Sequence, residues 1–127
     1  MASRRGARRR ALEILYQSDL NGSSPSASLD DGADEFTVEL VRGAEEHLAE
    51  LDELIGTHSR EWQVSRMPAV DRAVLRLACY ELRYMEDIPP AAAINEAVEA
   101  AKELSTEDSA RFVNGILGQI ARESPDG

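Results

Sequence analysis

Apolar residues recur along most of this chain at spacings of three and four, the period of a helix with one buried side. Residues 4–21 place Ala11, Ile14, Leu15 and Ser18 on one face, and Gly22 supplies a left-handed stop. Residues 22–33 form a loop by composition. Phe36, Leu40, Ala44, Leu48, Leu51 and Ile55 then predict one long helix, capped by Asp34 or Thr37 and ended by Gly56. Its acidic outer side, including Glu45 and Glu53, reads as solvation, and Gly43 marks a close helix approach or a bend. Residues 59–64 read as a short helical turn with Trp62 as a core anchor. Pro89 and Pro90 open a further helix with Ile94, Val98, Ala101 and Leu104 as its buried stripe. A capping-box pattern at residues 105–108 starts the last one, packed through Val113, Ile116, Leu117 and Ile120. There Gly115 and Gly118 allow close approach, and residues 124–127 read as a frayed tail.

One stretch departs from the one-sided pattern. Residues 67–83 wound as a helix are apolar almost all the way round, through Val70, Ala73, Val74, Leu75, Leu77, Ala78, Cys79, Tyr80 and Leu82. Such a helix has to be surrounded by protein. Its cations Arg72, Arg76 and Arg83 fall in one sector, predicting a cationic stripe that escapes the core, while Asp71 and Glu81 fall away from it.

At 127 residues the chain reads as one domain, rich in helix-favouring Leu, Ala, Glu and Arg. No run approaches the roughly 20 apolar residues that span a bilayer, and no apolar signal segment follows the start. A single cysteine forms no internal disulfide and no two-cysteine zinc site, and fits a reducing cytoplasm. His47 and His58 belong to different elements, so a metal site between them is not expected. Neither is a cofactor.

The net charge of −10 argues against a nucleic-acid partner, and its distribution reverses that inference. Arg4, Arg5, Arg8, Arg9 and Arg10 stand together without an acid among residues 1–10. Charges farther apart than about 8–10 Å are screened at physiological salt, so a polyanion meets the arm locally. Arg5, Arg9, Leu12 and Tyr16 share a helix stripe. Guanidinium forks fit phosphates and an aromatic ring offers a face to an unpaired base, although Tyr16 equally suits half-buried packing.

The run Val70-Asp71-Arg72-Ala73-Val74-Leu75-Arg76-Leu77-Ala78-Cys79-Tyr80-Glu81-Leu82 is followed by Ile88-Pro89, Ile94-Asn95-Glu96-Ala97-Val98-Glu99 and Phe112-Val113-Asn114-Gly115-Ile116-Leu117. With the arginine-rich start and the segment Ala11 to Tyr16, these strongly resemble the NusB family of bacterial transcription antitermination factors. The match covers nearly the whole chain, the loop and Ala91-Ala92-Ala93 being least family-like. The resemblance implies an all-α fold of two packed three-helix bundles with six to seven helices, about 1–65 and about 66–123. It further implies binding of single-stranded boxA RNA of ribosomal RNA transcripts, jointly with the ribosomal protein NusE. Other Nus factors and RNA polymerase complete that assembly, and some family members are homodimers. Carried over by position, the RNA surface comprises the arginine arm, Tyr16, Asp71, Arg76, Asp108 and Phe112. Asp108 also suits a helix cap, and Phe112 the core.

An enzyme is not expected. The chain has no glycine-rich phosphate loop, no Ser/His/Asp order and no paired carboxylates in a plausible pocket. Related helical domains precede some ribosomal RNA methyltransferases, but here no catalytic domain is expected after the last helix. A protein-interaction module whose arm docks on an acidic protein is the other alternative.

Overall fold

The computed structural model describes residues 3–60 and 62–123, so the expected tail at 124–127 lies outside the described residues. Among these residues there are six helices and no strand: α1 (Arg4–Asn21), α2 (Glu35–Glu46), α3 (Leu48–His58), α4 (Ala69–Tyr84), α5 (Pro90–Leu104) and α6 (Glu107–Arg122). Two short 3₁₀ turns, Pro25–Ser28 and Val64–Arg66, lie in the connections. No helix among the described residues is long and apolar enough to cross a membrane.

The all-round apolar stretch becomes α4, and all five other helices pack against it. Its Ala73, Val74, Leu75, Leu77, Ala78 and Cys79 are buried. They meet Leu12, Ile14 and Leu15 of α1, Leu40 and Val41 of α2, Leu51 and Ile55 of α3, and Val113 and Leu117 of α6 in one cluster. Around this axis α1 pairs with α2, and α5 with α6. Burial pushes the Cys79 thiol up to about 12, which keeps it an inert core group. The polar side chains of α4 behave differently from expectation. Arg72 and Arg76 do not escape the core, and Asp71 and Glu81 are buried too.

The helix caps follow from local chemistry. Asp34 accepts from the Phe36 N–H at 2.9 Å, and Gly22 stops α1 at φ 67°. Thr106, rather than Ser105, caps α6 by accepting from the Ser109 N–H at 3.0 Å. The single helix expected over Phe36 to Ile55 is broken at His47, which ends α2 and precedes α3. The break re-aims the apolar stripe. Leu51 and Ile55 reach the core, whereas Leu48 stays exposed at the outer corner. Gly56 lies inside α3 and does not end it. Glu45 is not mere solvation, because it accepts from the Ser24 hydroxyl and the Ser26 N–H. These bonds, the Ser24 one foremost, hold its carboxyl below the usual range and pin the loop to α2.

In α5 the fully buried stripe is Ala93, Ala97, Ala100 and the expected Ala101, with Ile94 and Val98 half-buried against the core and Leu104 exposed. Small side chains let α5 approach α4 and α6 closely. Gly115 in α6 has open space where a side chain would stand, so it serves no close approach, and Gly118 meets only the end of the Arg122 side chain. Gly43 does: a Cβ there would fall within the ring of Tyr80. Trp62, expected in the core, is instead 43% exposed and lies outside the Val64–Arg66 turn.

Two expectations follow. Gly43→Ala, which in an open helix gains about 1 kcal/mol, should here cost about 1–3 kcal/mol through overpacking against Tyr80, read as a lower urea midpoint. His58 joins the end of α3 to Glu123 beyond α6. Its bond to the Leu54 carbonyl, then its bond to Glu123, raise its pKa. The folded chain therefore favours the protonated ring. That contribution is complete below the free-histidine value of about 6.5 and is lost as pH rises through the raised one. Melting temperatures of His58→Ala should show a smaller decline than the parent chain over that window.

Candidate nucleic-acid interface

The amino-terminal turns of α1 bring Arg5, Arg8 and Arg9 to the side of α4 and α5, while Arg10 lies on the side of the loop at 28–34. Each one meets a carboxylate. Arg5 donates to Glu96 at 3.3 Å, Arg9 to Glu103 at 3.0 Å and Arg10 to Glu13 at 2.8 Å, all at the surface. Arg4 lies 3.7 Å from Asp87 and over the ring of Phe36. Exposed pairs of this kind are worth about 0–1 kcal/mol, so a phosphate can take the carboxylate's place.

Arg8 is different in kind. Its side chain is 11% exposed and donates from Nε and Nη2 to Glu81 at 2.8–3.1 Å. Burial pushes the Glu81 carboxyl up, and Arg8 pulls it part of the way back. The pair ties the arm to the middle of the core helix. Arg76 is likewise engaged, with two bonds to Asp52 at 2.7 and 2.8 Å and Asp19 at 3.7 Å. Arg72 donates to Asp19 and to the carbonyls of Val64 and Met67.

Two recesses lie along one side of this framework. The first, about 470 Å³, is lined by Arg9, Leu12, Tyr16, Val70 and the exposed Leu104. Tyr16 is half-buried on its wall. The second, about 690 Å³, lies between the start of α4 and the start of α6 and gathers Trp62, Asp71, Ser105, Asp108, Arg111 and Phe112. Val70 precedes Asp71 in α4 and Leu104, the last residue of α5, precedes Ser105, so the two recesses lie next to each other. Side by side they form a groove with Arg9 and Tyr16 at its α1 end and the rings of Trp62 and Phe112 at its α6 end.

Within the second recess the expected residues differ in access. Asp108 is exposed in the first turn of α6 and pairs with Arg111. Phe112 is half-buried, its ring 6.0 Å from that of Trp62. Asp71 is 2% exposed and accepts from the Ser109 hydroxyl at 3.0 Å. Burial pushes its carboxyl up, against the hydroxyl bonds that lower it. Hence Arg8, Arg76 and Asp71 have their polar atoms turned to protein, while Arg4, Arg5, Arg9, Arg10, Tyr16, Asp108 and Phe112 face the groove or solvent.

Trp62, Ser105, Ser109 and Arg111 belong to the second recess without having been expected there. For Trp62 no pattern in the sequence marks the outward setting, since the segment reads as a short helical turn. Among the described residues no group of three or more His, Cys, Asp or Glu side chains is placed to hold a metal ion.

The sequence model of the NusB family matches residues 5–122. The transcription antitermination protein NusB of Nocardioides sp. (strain ATCC BAA-499 / JS614) is 46% identical, over 98% of each chain. The structure of T. maritima NusB superposes with a TM-score of 0.87 at 37% identity, covering 96% of this chain and 92% of that one. A crystal structure of the antitermination factors NusB and NusE in complex with dsRNA contains a chain that matches with a TM-score of 0.83 at 30% identity, covering 95% of this chain and 97% of that one.

The Arg8–Glu81 pair sets a stability test. Glu81→Ala leaves a buried guanidinium without its partner and should cost about 3–5 kcal/mol in urea unfolding. The apolar double replacement Arg8→Met with Glu81→Leu should recover most of that loss.

Proposed function

The chain belongs to the NusB family, and from that membership and the groove described above we infer that it is an RNA-binding transcription antitermination factor. It holds single-stranded boxA RNA of ribosomal RNA transcripts together with NusE, as part of the Nus complex on RNA polymerase. The single observation that carries this reading is the groove itself, with Arg9 on an exchangeable carboxylate at one end and the rings of Trp62 and Phe112 at the other.

Each end has a separate task. Arg4, Arg5, Arg9 and Arg10 exchange surface carboxylates for phosphates and supply salt-sensitive affinity. Tyr16 and Phe112 give stacking faces to unpaired bases, and Asp108 accepts from a base edge, which phosphate attraction alone cannot select. Arg8, Arg76 and Asp71 act as positioning residues in this reading: the first two fix α1 and α3 on the core helix, and Asp71 fixes the start of α6. The role is one of binding rather than catalysis, carried out in the cytoplasm where transcripts emerge.

The test is a salt titration of binding to boxA RNA and to a scrambled strand, with and without NusE. Tighter binding of boxA, strengthened by NusE, is expected. Equal affinity for both strands would reduce the arm to a nonspecific polycation and sink the reading. Replacing Arg5, Arg9 and Arg10 by alanine should flatten the dependence of log K on log salt by about 0.7 per lost phosphate contact.

A further inference from the structure

The first turn of α2 meets the first turns of α1 at two points. The Thr37 hydroxyl donates to the Ala7 carbonyl at 3.0 Å in the interior. One residue before it, the ring of Phe36 lies beneath two guanidinium groups, with Cζ of Arg4 4.6 Å and Cζ of Arg8 5.3 Å from its centre. Phe36 is itself held, because its N–H donates to Asp34 at 2.9 Å and its half-buried ring packs against the core. Arg4 and Arg8 stand four apart on α1, a spacing at which like charges repel. The negative face of the ring offsets that repulsion.

The two cations differ in their other partners. Arg8 is committed to the buried Glu81. Arg4 has a side chain 56% exposed, 3.7 Å from the exposed carboxylate of Asp87. A carboxylate and an arriving phosphate compete for the same N–H donors, so one of them has to leave. The ring competes with neither, since it attracts the cation through its π face and a guanidinium carries five donors. An arginine free in solvent also loses rotamer freedom when it takes a phosphate. One already resting on a ring has given up part of that freedom beforehand.

We propose that Phe36 is a positioning residue of the arginine arm: its ring holds the Arg4 guanidinium where a phosphate takes over from Asp87, and keeps it there after the exchange. Through Arg8 the same ring ties this place to the buried pair on α4. The proposal rests on the RNA-binding reading above and adds to it a residue outside the groove that sets the strength of binding.

The test is a double-mutant cycle, read by electrophoretic shift of the full chain with a short boxA single strand. Binding is compared at a temperature where circular dichroism shows every variant folded. Phe36→Leu keeps an apolar side chain and removes the ring, and should weaken binding about two- to fivefold. Phe36→Tyr, which keeps the ring, should bind like the parent chain. In a chain that already carries Arg4→Ala, Phe36→Leu should change the affinity little, because the ring then has no exchangeable cation to hold. A packing role alone predicts the same loss with and without Arg4. Parent-like binding by Phe36→Leu, an equal loss in the Arg4→Ala chain, or an equal loss in Phe36→Tyr overturns the positioning role and leaves the RNA reading standing. No shift of the parent chain with any RNA overturns both.

Discussion

A helix enclosed by five others leaves its polar side chains no solvent to reach, and this constraint organises the molecule. α4 carries Asp71, Arg72, Arg76 and Glu81 into that enclosure, and each finds a partner on a neighbouring helix. Asp71 takes Ser109 of α6, Arg72 takes Asp19 of α1, Arg76 takes Asp52 of α3, and Glu81 takes Arg8 of α1. Breaking such a pair by removing one member is costly, whereas the intact pair adds little net stability over an apolar replacement. Their contribution is then to register, since every one of them fixes where a neighbouring helix sits along α4.

That register builds the groove. Arg8 on Glu81 fixes the first turns of α1 beside α5, which leaves Arg5 and Arg9 at the surface within reach of Glu96 and Glu103. Asp71 on Ser109 sets the first turn of α6 against the start of α4, and so brings Phe112 to Trp62. The charges that hold the scaffold and the charges offered to a ligand are thus different residues of the same short segments. Arg8 lies inside while Arg9, one position on, faces the groove.

The acidic excess acts in the same direction. A chain of net charge −10 repels a polyanion over most of its surface, which favours approach at the amino-terminal arginines, where cations concentrate. Even there the arginines already have carboxylate partners. In the reading proposed above, phosphates compete with those carboxylates, which disfavours weak, unspecific contacts and leaves selection to the rings.

The sequence alone determined the helical class, most helix limits, the enclosure of α4 and the cationic segment, because apolar period, glycine and proline stops and local charge are properties of neighbours along the chain. Family-specific runs such as Ile94-Asn95-Glu96-Ala97-Val98-Glu99 extended this to the kind of partner. Only the tertiary structure decided which charges lie inside. Arg72 and Arg76 read as an escaping stripe until α1 and α3 placed Asp19 and Asp52 against them. The break at His47, the alanine face of α5 and the outward Trp62 were equally invisible. Each depends on which helix lies opposite, and a pattern of spacings records the direction of a side chain without recording what it meets.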